Sequence, residues 1–103
     1  MDFDDLASRL EMDREDFLEL AGLFVTTTQG DMDKIRQAMS GLNPADAASA
    51  AHSIKGAAGN LGFEKMADLA QTMEFQGKDG NLDGFDAHME DMEKMLQGLQ
   101  VLL

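Results

Sequence analysis

From Pro44 to Leu61, apolar side chains fall at Ala47, Ala51, Ile54, Ala58 and Leu61, the three- and four-residue spacing of one helix face. Similar stripes run through Phe17, Leu20, Phe24, Ile35 and Met39, through Phe63, Met66, Ala70 and Met73, and through Phe85, Met89, Met92, Leu96, Leu99 and Leu103. Start and stop signals divide them. Asp2 can cap a short first helix, and Asp13 with Asp16 forms an acidic capping pair. Asn43 precedes Pro44 at a first helical position, and Gly62 suits a left-handed helix end. GKDGN is a loop, after which Asp83 and Asp86 open the last helix. The pattern predicts helices over 3–10, 14–39, 44–61, 63–76 and 84–102. Short connections between amphipathic helices predict an all-α fold, an antiparallel up-down four-helix bundle with a short additional N-terminal helix. Residues 1–103 read as a single domain.

Composition narrows the function. Eight basic residues against twenty acidic ones give a formal charge of −12, which repels nucleic acid and anionic lipid. The absence of cysteine excludes disulfides and thiolate metal sites. No apolar run approaches a membrane span, and the acidic start does not resemble a signal peptide, so a cytoplasmic protein is expected.

The stretch AHSIKGAAGNLGF raises the question of chemistry. With ~100° per residue, His52 falls about 140° from the centre of the apolar face, Gly59 about 120°, Lys55 about 80° and Gly56 about 180°. His52 therefore faces outward beside a cation and two glycines. His88, about 60° from the centre of its own stripe, reads as half-buried. Each glycine costs helix stability, and together they bare the main chain next to the imidazole. A solvent-facing neutral imidazole is a nucleophile, Lys55 can offset the charge of a phosphoryl group on it, and Gly56 leaves room for the incoming group. These are the requirements of a phosphoryl carrier. Glu74 is a candidate to hold the other ring nitrogen, with Gln71 beside it; alternatively Glu74 is a surface carboxylate paired with Lys78.

The spacing His, any, apolar, Lys, Gly, small, small, any, any, apolar, Gly in this stretch resembles the histidine-containing phosphotransfer (HPt) domains of two-component phosphorelays. DREDFLELAGLF and ADLAQTME are similar to further helices of that family. The resemblance implies a four-helix bundle in which His52 accepts phosphate on its outer nitrogen from a receiver aspartate and passes it to another receiver. Lys55 would steady the phosphoryl group, Gly56 and Gly59 would give access, Glu74 or Gln71 would orient the histidine, and Lys78 would be an auxiliary cation. It implies no ATP site, no cofactor and no metal in this chain, with Mg²⁺ carried by the receiver. The implied partners are response-regulator receiver domains and a hybrid histidine kinase, met by a monomer. Docking in the family uses apolar residues around the histidine, for which Met12, Phe17, Val25 and Met39 are candidates.

A second pattern competes. DGNLDGFDAHME, over 79–90, follows the EF-hand spacing with Asp79, Asn81, Asp83, Gly84 and Glu90, and would make the chain a calcium binder. Against it, the last helical stripe already begins at Phe85, and only one such loop exists. A bundle-core metal site would need Glu three residues before each histidine, where the chain has Ser49 and Phe85. A plain helical interaction protein would have no reason to place Gly56 and Gly59 beside an exposed His and Lys.

Overall fold

Asn43 accepts a hydrogen bond from the Asp46 amide at 3.2 Å, and Pro44 follows at the first helical position, so the helix that carries His52 starts sharply. A computed structural model describes residues 2–103 and builds them into five helices. They are α1 (Phe3–Arg9), α2 (Arg14–Ser40), α3 (Pro44–Leu61), α4 (Glu64–Lys78) and α5 (Phe85–Leu102). The described residues contain no strand. No helix among them is long and apolar enough to cross a membrane.

The helix ends follow from local chemistry. Asp2 caps α1 through the Asp5 amide at 3.1 Å. Gly62 ends α3 with φ 82°, and a Cβ there would come within 2.9 Å of Leu6 Cδ2. Gly84, with φ 80°, turns the chain into α5. The capping pair expected at Asp13 and Asp16 does not form, because Asp13 makes no side-chain cap bond. A capping box joins a neutral hydroxyl to an acid, whereas two carboxylates repel. Glu15 and Asp16 instead place negative charge in the first turn of α2, where the helix dipole favours it.

The four long helices contact one another in cyclic order, α2 on α3, α3 on α4, α4 on α5 and α5 on α2, with α1 laid on α2. Phe17, Ile35, Ile54, Met73, Phe85 and Met92 are fully enclosed between them. Four aromatic rings tie the end near α1 together, with centroid separations of 5.6 Å for Phe3–Phe17, 6.1 Å for Phe17–Phe63 and 5.1 Å for Phe24–Phe63.

Two stripe positions differ from the periodic pattern. Leu20 is 40% exposed. The buried face of α2 at this level runs through Phe17, Ala21 and Phe24, and Leu20 lies at its edge. Leu103 lies past the end of α5 and is also exposed.

Helix α4 begins at Glu64 rather than Phe63, which is the buried N-cap, and continues through Gly77 and Lys78 instead of stopping at Gln76. Gly77 is helical and buried against the start of α3. A Cβ on it would meet the Pro44 carbonyl oxygen at 2.8 Å and the Ala48 Cβ at 2.9 Å. Only glycine allows the two helices to cross this closely. Ala48 supplies the small side chain opposite.

Candidate functional site

The inner face of α3 is closed: Ala51 and Ala58 are 0% exposed and Ile54 1%. His52 projects from the other side, with 65% of its side chain in solvent. A Cβ added at Gly56 or Gly59 would touch nothing within 4 Å. Internal packing therefore does not require glycine at either place, and both leave the surface beside the imidazole low.

The close α3–α4 crossing brings Glu74 beneath this surface. The carboxylate is 2% exposed, with its Oε2 placed 2.8 Å from His52 Nδ1 and 3.1 Å from Lys78 Nζ. Lys55 Nζ donates to Oε1 at 2.7 Å. The Lys55 hydrogen bond, helped by Lys78 and His52, outweighs burial and lowers the Glu74 pKa from 4.5 to about 2. Glu74 is thus an anion at neutral pH and can only accept. Nδ1 of His52 must then carry the ring proton, which leaves the lone pair on Nε2. The sequence predicts an outward imidazole; the buried carboxylate defines which nitrogen of it is nucleophilic.

Residues 19–101 match the family described as the Hpt domain. The chain belongs to the Hpt domain family. Histidine phosphotransfer within a phosphorelay is the function that this membership carries. The fold is similar to that of histidine-containing phosphotransfer protein B from Pseudomonas aeruginosa PAO1, with a TM-score of 0.86 and 24% identity over 99% of this chain and 89% of that one. No curated protein matches the sequence.

Within this Hpt chain, Lys55 and Lys78 both reach the site, but through Glu74 rather than through the imidazole. Gln71, one turn before Glu74, is exposed and makes no hydrogen bond to His52. Phe17 and Val25 are buried in the core and cannot form a docking surface, whereas Met12 and Met39 are half-buried. His88 is half-buried, hydrogen-bonded through Nε2 to Gln76 Oε1 at 3.1 Å and set edge-on to Phe85.

The calcium-loop reading of 79–90 gains no support. Helix α5 starts at Phe85, so the last half of the pattern is already helical, and Glu90 pairs with Lys94 at 3.3 Å. Among the described residues no group of three or more His, Asp or Glu side chains converges to hold a metal.

Sequence reasoning missed Gly77, reading it as part of a loop. Its only signal was a glycine three residues after Glu74, facing an alanine four residues before His52. The buried, polar Thr28 and Asp31 on α2 were also missed.

Proposed function

We propose that this Hpt protein is a phosphocarrier in which Nε2 of His52 takes a phosphoryl group from a receiver aspartate and yields it to a second receiver. In the first transfer the Nε2 lone pair attacks phosphorus. The N–P bond forms as the O–P bond of the aspartyl phosphate breaks, and the aspartate carboxylate keeps the electron pair. The phosphorylated ring retains its Nδ1 proton and carries a positive charge, which the Glu74 anion offsets. The single observation that supports this reading is the 2.8 Å contact between a buried, ionised Glu74 and His52 Nδ1.

Lys55 steadies the phosphoryl oxygens from one turn away, Lys78 adds positive charge at the rim, and Gly56 and Gly59 give the donor access. Glu74, not Gln71, orients the ring. The four long helices act as an antiparallel up-down bundle that holds α3 rigid. The protein supplies no kinase or ATP site of its own and needs no cofactor, because Mg²⁺ accompanies the receiver. Its partners are response-regulator receivers and a hybrid histidine kinase, met as a cytoplasmic monomer.

The test is phosphate transfer from phosphorylated receiver domains to the purified chain. Acid-labile label is expected on the parent and absent from a folded His52→Gln variant. Label that persists on that variant, or a parent that no receiver labels, overturns the proposal.

A further inference from the structure

The bond between Nε2 and phosphorus has to break again, and the departing nitrogen then keeps the electron pair. With a proton on Nδ1, the ring departs as a neutral imidazole. Without that proton it departs as an anion, a far poorer leaving group. A substituted imidazole ordinarily gives up this proton near pH ~6.5, so above neutral pH a phosphorylated ring with no partner is largely in the slow form.

In this chain the proton has a partner. Glu74 Oε2 lies 2.8 Å from His52 Nδ1, on a carboxylate that is 2% exposed and therefore little screened by salt. With a pKa of about 2, Glu74 is too weak a base to take the proton from the ring. The cations of the site, Lys55 on α3 and Lys78 on α4, stand 2.7 and 3.1 Å from the Glu74 oxygens. They oppose a charged ring, but a phosphoryl group on Nε2 brings negative charge that offsets them. Toward α2, Asp31 and Lys34 line a groove with Ser49 and Ser53 and stand 3.9 Å apart, a pair of opposite charge. The buried anion in contact with Nδ1 thus decides the balance.

We infer that Glu74 is a positioning residue for the departure of the phosphoryl group as well as for its arrival. It holds the Nδ1 proton on the phosphorylated ring, so that the group leaves from a neutral imidazole even above neutral pH. An oxygen nucleophile, the receiver carboxylate or water, attacks phosphorus. The O–P bond forms as the N–P bond breaks, and the electron pair returns to Nε2. Water sheds its proton to solvent, whereas the Nδ1 proton stays, and the ring is restored to the tautomer that accepts the next group. The part played in onward transfer rests on the phosphocarrier reading; the effect on the lifetime of the adduct does not.

Potassium phosphoramidate, a small donor that phosphorylates imidazoles without any receiver, is the probe, and His52→Gln is the blank for label elsewhere. Hydrolysis of the adduct is followed by ³¹P NMR on the parent, on Glu74→Gln, and on the parent unfolded in urea, where the contact is gone. Between about pH 6.5 and about pH 8.5 the parent lifetime should change less than about twofold, while that of the unfolded chain lengthens by up to about tenfold per pH unit. Glu74→Gln should follow the unfolded chain. A merely structural role would scale the lifetime without moving its pH profile. The ring ¹⁵N shifts of the phosphorylated parent, which need no variant, should report a protonated Nδ1 throughout. A parent profile that rises as in urea, a ring that loses its proton in this range, or a Glu74→Gln profile as flat as the parent's overturns the role assigned to Glu74. So does a parent that takes no label at His52, since its Nε2 is then not the nucleophile. For a receiver that draws the group from His52, the ratio of parent to Glu74→Gln transfer rates should grow with pH. A constant ratio overturns the part in onward transfer while the relay stands. If no receiver exchanges label with the chain, the relay fails, and the lifetime profile alone decides.

Discussion

A Cβ on Gly77 would stand 2.9 Å from the Cβ of Ala48, so α4 crosses α3 here in direct main-chain contact. The crossing sets Glu74, one turn earlier on α4, against His52, one turn later on α3. Adding one methyl should force the helices apart. Gly77→Ala is expected to cost about 1–3 kcal/mol from overpacking, less up to ~1 kcal/mol regained in helix propensity. Thermal unfolding and the His52 imidazole ¹⁵N shifts should both move. Parental values for both would show that this contact does not position the carboxylate.

Gly56 should behave in the opposite sense. Its Cβ would meet nothing, so Gly56→Ala is expected to gain about 0.5–1 kcal/mol of stability. The methyl stands on the face that an incoming receiver approaches, and phosphotransfer should slow. Denaturant titration and labelling rate, measured on one preparation, check whether stability and transfer part company.

Glu74→Gln is expected to cost about 1–3 kcal/mol by leaving the half-buried Lys55 without its anion. Because an amide both donates and accepts, the proton of His52 should no longer be confined to Nδ1. Imidazole ¹⁵N spectra should change from a single Nδ1–H tautomer to a mixture. A pure Nδ1–H signal in the variant would remove the tautomer argument.

Acid should weaken the fold through the same residue. The folded-state pKa of Glu74 is about 2, below its ordinary 4.5. Its contribution is therefore complete above that ordinary value and is lost as pH falls toward the folded one. With two of its three partners largely exposed, that contribution is about 1–3 kcal/mol. Urea unfolding of parent and Glu74→Gln should converge as pH drops through this window. A gap that stays constant would place the effect elsewhere.

Calcium is expected to leave the thermal midpoint unchanged, since the residues from Phe85 to Glu90 are spent in α5. A midpoint that rises with calcium would restore the loop reading.

What could be read from the sequence depended on whether one helix sufficed to decide it. The outward direction of His52 followed from the α3 stripe alone, because Ala47, Ala51, Ile54, Ala58 and Leu61 repeat with a constant phase. Glu74 depended on two helices at once. On α4 it lies at the flank of the stripe, and its burial comes from how closely Gly77 lets α3 approach. Periodicity within one helix carries no information about that distance. Leu20 failed for a related reason: Ala21, not Leu20, completes the buried face between Phe17 and Phe24, and the pattern of one helix does not say where the covered arc ends. Val25 shows the same limit, since it lies off the stripe drawn for α2 and is nevertheless buried, whereas the burial of Phe17 follows that stripe and rules out the docking role.

The carboxylate under His52 also has a regiochemical consequence. One ring nitrogen is committed to the interior, so an electrophile approaching from water meets only the other, and every adduct forms as a single positional isomer. Isomer-selective antibodies could then follow the modified protein in a mixture without any radioactive tracer.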